Sequence, residues 1–272
     1  MNALTGRSSI PCPSGTTRLF AVIGNPVAQV MAPELMNSLF LDRGCDAVLT
    51  AVEVKPEHLS TVLAGLKQIA NLDGILVTVP HKFAVCDQID TASEAVTLAG
   101  SANALRREPD GSWRGDNFDG TGFVRGLQIA GHDPAGKVVS LVGAGGAGVS
   151  VAVALMMAGA RRLHVTDLSA ERAGRLVDRL SNKWPGRISL AAVPDSRSDI
   201  VVNATPLGLA DTDPLPFDPG LLSTTAVVAD IIMKPAETRL LKAAAEIGLP
   251  THPGIHMLTN QVELYREFFR IP

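Results

Sequence analysis

Short apolar, β-branched runs alternate with longer Ala- and Leu-rich segments along this chain, and that rhythm predicts its elements. Runs at 19–23, 47–54, 74–79 and 104–106 read as strands; the turn Pro109-Asp110-Gly111 then leads into a returning strand at 113–115. A turn-rich stretch at 132–137 precedes a second series at 138–142, 163–166, 188–193, 200–204 and 227–231. Strands separated by helix-length segments predict an α/β fold with mostly parallel sheet. A domain junction is expected between about 119 and 137, where the first series ends and the second begins.

The chain of 272 residues is 46% hydrophobic and 19% charged, which excludes disorder and leaves room for one large domain or two ordinary ones. A formal charge of -3 provides no basic stripe for nucleic acid. No apolar run reaches membrane-spanning length, so no membrane partner is expected. The opening MNALTGRSSIPCPSGTTR lacks the apolar centre of a signal peptide and reads as a loose leader of a cytoplasmic protein. Cys12, Cys45 and Cys86 are scattered, as are the six histidines, so neither a disulfide framework nor a metal site is expected.

The strand at 138–142 runs into Gly143-Ala144-Gly145-Gly146-Ala147-Gly148, and a helix pattern follows from 149 to 158. That is GxGxxG in the context the motif requires, glycines letting backbone approach a pyrophosphate at a helix N-terminus. The next strand ends at Asp167-Leu168, where an acid that binds ribose belongs. A carboxylate there accepts from a 2′-hydroxyl and repels a 2′-phosphate, so NAD is expected over NADP. Arg172, five positions on, is expected on the helix face. The bland alternative is a nucleotide-free α/β turn in which Asp167 caps a helix.

Two further pieces carry candidate chemistry. Val77-Thr78-Val79-Pro80-His81-Lys82 presents a lysine at a strand end, where a simply solvated lysine is the alternative. Gly115-Asp116-Asn117-Phe118-Asp119-Gly120 sets two acids around an Asn at a turn, where capping is the alternative. Together with "IGNP" from Ile23, "SANAL" from Ser101, "VNATPLG" from Val202 and the terminal "GIHMLTNQ", these pieces resemble the shikimate/quinate dehydrogenase family. The resemblance spans nearly the whole chain.

It implies an N-terminal α/β substrate domain over 1–118 plus 254–272, a Rossmann-type NAD(P)-binding domain over 119–253, and an active site in the cleft between them. It makes Lys82 and Asp119 the catalytic pair, Lys82 handling the proton of a substrate hydroxyl and Asp119 holding and polarising that hydroxyl. Thr78, Asn103 and Gln261 match polar substrate contacts. Asn203, Ala204, Thr205 and Pro206 match a cofactor-binding segment, Ile231, Met233 and Gly254 are further cofactor-binding positions, and Met257 and Leu258 would flank the nicotinamide. For Met257 and Leu258, core packing is the equal alternative.

Departures from the family pattern gather on the substrate side. Two serines that grip the substrate carboxylate are Val30 and Ala32 here. An expected asparagine is Leu76, a threonine before the catalytic acid is Phe118, and a substrate-facing tyrosine is Met233, followed by Lys234. His256 stands where a small residue is usual. Two lost donors to a carboxylate would cost about 2–4 kcal/mol. The expected function is therefore NAD-dependent hydride transfer to and from a secondary alcohol of a shikimate- or quinate-like ring acid. The alternatives are a shikimate or quinate dehydrogenase proper, and a non-catalytic nucleotide-binding regulator on the same fold. Monomer and homodimer are both open.

Overall fold

The computed structural model describes residues 13–272. Residues 1–12, with Cys12 and most of the expected leader, lie outside the described residues. The leader's last residues are not loose, because the Thr16 and Thr17 hydroxyls donate to Asp46 at 2.8 and 2.6 Å. Among the described residues, Cys45 is a free thiol. No described helix is long and apolar enough to cross a membrane, and no described group of three His, Cys, Asp or Glu could hold a metal ion.

The described residues form two compact α/β units, one of 13–92, 102–116 and 262–272, the other of 93–101 and 117–261. The first is built on β1 (Arg18–Gly24), β2 (Ala47–Glu53), β3 (Leu72–Val77), β4 (Thr91–Ala92), β5 (Ala104–Arg107) and β6 (Trp113–Asp116). Its sheet runs β2-β1-β3-β5-β6-β4; β1 pairs in parallel with β2 and β3, whereas β5 is antiparallel to β3 and β6. Helices α1 (Ala32–Asp42) and α2 (Leu59–Leu66) belong to this unit. Two of its strands, β2 and β3, end sooner than the apolar runs do. The run expected to 79 stops at Val77, since Pro80 offers no N–H to a ladder and Val79 is exposed.

In the second unit, α3 (Glu94–Ala99) and α4 (Asp119–Ile129) precede β7 (Val138–Val142), α5 (Gly146–Met157), β8 (Arg162–Thr166) and α6 (Ala170–Ser181). Then come β9 (Ile188–Leu190), β10 (Ile200–Asn203), β11 (Val227–Asp230), α7 (Arg239–Glu246) and β12 (Thr251–His252). Of helix α8 (Ile255–Phe268), residues 255–261 belong to this unit and 262–268 to the first. The sheet is wholly parallel in the order β12-β11-β10-β7-β8-β9, the Rossmann order, with its direction of progression reversing between β7 and β10. Parallel strands covered on both faces read as near-continuous apolar runs, and every residue of β7, β10 and β11 is buried, the polar Ser140, Asn203 and Asp230 included. On α6 the buried residues Ala173, Leu176 and Leu180 form one stripe, and the Ser169 hydroxyl caps the helix by accepting the Arg172 N–H. Strands β4 and β12 have two residues each, too short to leave a periodic signal.

One buried group makes this unit sensitive to pH. The His252 ring is 1% exposed, its Nε2 has no hydrogen-bond partner, and it lies 5.0 Å from the His256 ring. Burial first, then the charges of His256 and His132, push its pKa from 6.5 down to about 4. Below pH 6.5 the unfolded chain thus binds a proton that the folded chain refuses. Stability should fall as pH drops from 6.5 toward 4, by on the order of 2–3 kcal/mol. His252→Gln should flatten that limb of a melting-temperature–pH curve; an unchanged slope would assign it to other groups.

Candidate active site

In the first unit the carboxyl ends of β1 and β3 lie side by side because the strands pair in parallel, Ile23 opposite Val77. Their loops are therefore stitched together. The Asn25 N–H donates to the Val79 carbonyl and the Thr78 N–H to the Ile23 carbonyl, each at 2.9 Å. A side chain at Gly24 would overlap the Thr78 methyl group. His81 is buried, with its ring Nε2 2.6 Å from the Val54 carbonyl just past β2, so the residue before Lys82 is pinned to a third strand end. Lys82 itself is half-buried, and its carbonyl accepts the Ala102 N–H at 2.8 Å.

The loop after β1 turns at the Val30 N–H, which donates to the Val27 carbonyl at 3.1 Å. Val30 and Ala32 are half-buried, and α1 starts at Ala32 without a side-chain cap. Thr78 is half-buried, whereas Leu76 is buried within β3. Asn103 is also buried, and its amide donates to the Tyr265 hydroxyl on α8 at 3.1 Å.

In the second unit the expected cofactor segments all follow carboxyl ends of parallel strands. The Gly143 N–H donates to the Thr166 carbonyl and the Ala204 N–H to the Val142 carbonyl, both at 2.7 Å. The three motif glycines have separate jobs. Gly143 has φ +106°, a conformation that favours glycine, and a Cβ there would lie 2.7 Å from the Ala204 backbone. Nothing lies within 4 Å of a Cβ at Gly145, the open position where a pyrophosphate would approach. A Cβ at Gly148 would overlap the Gly143 carbonyl oxygen. Helix α5 begins at Gly146, inside the motif rather than at 149, so its free N–H groups face that open position. This loop fits a dinucleotide. Gly148→Ala should weaken cofactor binding about tenfold, as overpacking of about 1–3 kcal/mol deforms it, measured by calorimetric titration.

Asn203 shapes its loop from within. It is fully buried: its Oδ1 accepts the Thr205 N–H and hydroxyl at 3.0 and 2.7 Å, and its amide donates to the Leu207 carbonyl and to Asp230. Asp230, whose carboxyl is pushed up by burial, also accepts from the Ile232 N–H and the Thr238 hydroxyl. Ala204 is buried, Thr205 is half-buried and Pro206 is exposed, so Thr205 and Pro206 form the accessible part. Ile231 and Met233 are half-buried and Lys234 is exposed. A side chain at Gly254 would meet the Ile231–Ile232 backbone at about 2.5 Å. Met257 and Leu258 are buried, Met257 in the main core of this unit.

Asp119 opens α4 and is only 4% exposed, and its Oδ1 accepts from the Gln261 amide at 3.2 Å. Around it lies a set of residues that sequence reasoning did not assign: Asn117, Ser101 and Ser150, joined by hydrogen bonds at 2.8–2.9 Å. Ser150 carried a usable signal, a lone hydroxyl in an apolar helical run. Asp230 carried none, since a strand-end acid has no spacing to mark it.

Residues 22–105 match the family model described as shikimate dehydrogenase substrate binding domain. An NADP(+) shikimate dehydrogenase of Rubrobacter xylanophilus is 38% identical over 259 residues, 93% of this chain and 90% of that protein. The shikimate dehydrogenase structure from Aquifex aeolicus has a TM-score of 0.85 at 32% identity, covering 94% of each chain. The ligand-free 5-ketofructose reductase of Gluconobacter sp. strain CHM43 has a TM-score of 0.84 at 31% identity, covering 93% of this chain and 92% of that one.

These relatives correct the expected choice of NAD over NADP, for the Rubrobacter enzyme and others at 37% and 35% identity are NADP(+) enzymes. The structure shows why Asp167 misleads. Its carboxylate accepts from the Ala144 and Ser169 N–H groups, each at 2.7 Å, and from Arg172 at 2.8 Å. Burial alone would raise its pKa, but the Ala144, Arg172 and Ser169 donors outweigh it and hold the carboxyl below the usual range. The carboxylate is thus spent inside the chain. Arg172 does not point away along its helix; it brings a half-exposed guanidinium to the strand end, beside the fully exposed Leu168.

Proposed function

We propose that this chain, which belongs to the shikimate dehydrogenase family, catalyses NADP-linked, reversible hydride transfer at a secondary alcohol of a shikimate- or quinate-like hydroxylated ring. It is an oxidoreductase of the alcohol dehydrogenase type. The observation that carries the reading is that Lys82 and Asp119, the family's acid–base positions, are both present, each on a backbone fixed by its own unit. NADP, when bound, supplies the hydride acceptor. The glycine loop 143–148 binds its pyrophosphate, Thr205 and Pro206 line its path, and the Arg172 guanidinium suits a 2′-phosphate.

Oxidation of a secondary alcohol requires the hydroxyl proton to leave as the carbonyl forms. In the bound ground state the Asp119 carboxylate accepts the hydroxyl's hydrogen bond and orients it; as the carbonyl forms, the neutral Lys82 amine takes that proton and becomes an ammonium. The Gln261 amide holds Asp119 in place. In the reverse direction Lys82 returns the proton to the developing alkoxide.

Turnover with NADP and shikimate, quinate or a neutral polyhydroxy ketone and its alcohol, measured across a wide concentration range, tests this reading. Saturable turnover of a ring alcohol is expected; no NADP-linked turnover of any of them would refute it. Saturation at low shikimate would identify a shikimate dehydrogenase proper. A second reading, a substrate without a carboxylate, is favoured by Val30 and Ala32 and by the likeness to 5-ketofructose reductase. Turnover confined to the neutral pair would establish it.

A further inference from the structure

Helix α5 is apolar and buried for most of its length, except for one hydroxyl set between Val149 and Val151. Ser150 is 4% exposed; its Oγ donates to Asn117 Oδ1 at 2.8 Å and accepts the Gly120 N–H at 2.9 Å. The same Asn117 oxygen accepts the Asp119 N–H at 3.1 Å. The Asn117 amide donates to the carbonyl and hydroxyl oxygens of Ser101, each at 2.9 Å. Ser101 Oγ in turn donates to the carbonyl of Gly146, the first residue of α5 and part of the glycine loop, at 3.2 Å.

The first turn of α4 needs such help. Its N-cap residue, Phe118, supplies no side-chain cap, and the N–H groups of a helix's first turn have no partner within the helix. Ser150 supplies the missing acceptor from a neighbouring helix. A side chain at Gly120 would overlap the Ser150 carbonyl oxygen, so the two backbones abut where the hydroxyl reaches across. The start of α5, which faces the pyrophosphate position, and the start of α4, which carries Asp119, are thereby joined through one buried polar network. Such a network is rigid while every member is satisfied, and a lost member leaves an orphaned group that the backbone moves to satisfy.

We propose that Ser150 is a positioning residue for hydride transfer: through Asn117 and the Gly120 N–H it fixes the Asp119 carboxylate relative to the cofactor-binding glycine loop. The proposal rests on the assignment of Asp119 as catalytic. Replacing Ser150 by alanine orphans the Gly120 N–H, adjacent to Asp119, and a displacement of that carboxylate costs rate rather than binding.

The test measures kcat, KM and NADP affinity for the wild type, Ser150→Ala, Ser150→Cys, Asp119→Asn and the double variant Ser150→Ala/Asp119→Asn. Ser150→Ala should lower kcat about tenfold, the worth of one lost hydrogen bond in a transition state, and leave NADP affinity within about twofold. Ser150→Cys, similar in size and still a weak donor, should recover part of kcat, and it carries the test if the alanine variant does not fold. In the Asp119→Asn background Ser150→Ala should cost nothing more, because its effect runs through that carboxylate. An unchanged kcat for Ser150→Ala, or the same loss in both backgrounds, would overturn the proposal while leaving Asp119 catalytic. A wild-type kcat for Asp119→Asn would instead remove the assignment beneath it.

Discussion

Lys82→Ala should lower kcat by about 10²–10⁴, the usual worth of a placed proton-transfer group. NADP binding should be unaffected, since Lys82 follows β3 in the first unit and the glycine loop belongs to the second. Folding should survive, because the turn is held by the His81 ring on the Val54 carbonyl and by backbone hydrogen bonds rather than by a lysine methylene. Steady-state kinetics and calorimetric NADP titration on the same preparation separate these effects. A non-catalytic regulator makes the opposite prediction: its Lys82→Ala variant would leave every cofactor-linked activity intact. Lys82→Arg is not a conservative control, since a guanidinium does not release its proton at working pH.

Restoring serines at Val30 and Ala32 should tighten shikimate binding on the order of a hundredfold, two charge-assisted hydrogen bonds being worth about 2–4 kcal/mol. Both positions are half-buried, so hydroxyls there would be partly shielded from competing water. The readout is KM for shikimate with kcat beside it. A fall in KM at constant kcat would mark restored ground-state binding, and an unchanged KM would show that these positions do not meet the carboxylate. If the natural substrate is neutral, the same double variant should lose affinity for it, because buried hydroxyls would be left without partners.

The backbone architecture was legible in the sequence wherever an element was long enough to show its period. Strands β1, β7 and β10 sit within one or two residues of their apolar runs. Strand ends were less legible, because an apolar run does not reveal where pairing stops; Val79 continues the pattern of β3 yet lies exposed past its last paired residue. The glycine motif was read from spacing; Gly143 and Gly148 have no room for a side chain, while Gly145 stands open. Asp167 shows the limit of that reasoning. Its place beside the motif was right, but sequence distance could not reveal that Arg172 folds back onto it or that two backbone N–H groups consume its oxygens. Asn117 and Ser150 are 33 residues apart and meet only because α4 abuts α5, so no local pattern could join them.

The stitching of the β1 loop to the β3 turn bears on how such an enzyme changes its diet over evolutionary time. With Asn25 bonded to Val79 and Gly24 pressed against Thr78, the stretch that carries Val30 and the stretch that carries Lys82 share one main-chain frame. Insertions or deletions in the first would drag the second along, and with it the lysine proposed to move the proton. Exchange of side chains at fixed length is the route that leaves the lysine untouched. Val30, Met31 and Ala32 stand in a loop that allows it, for serines can be set at Val30 and Ala32 with Gly24, Asn25, Pro26 and Pro33 left in place.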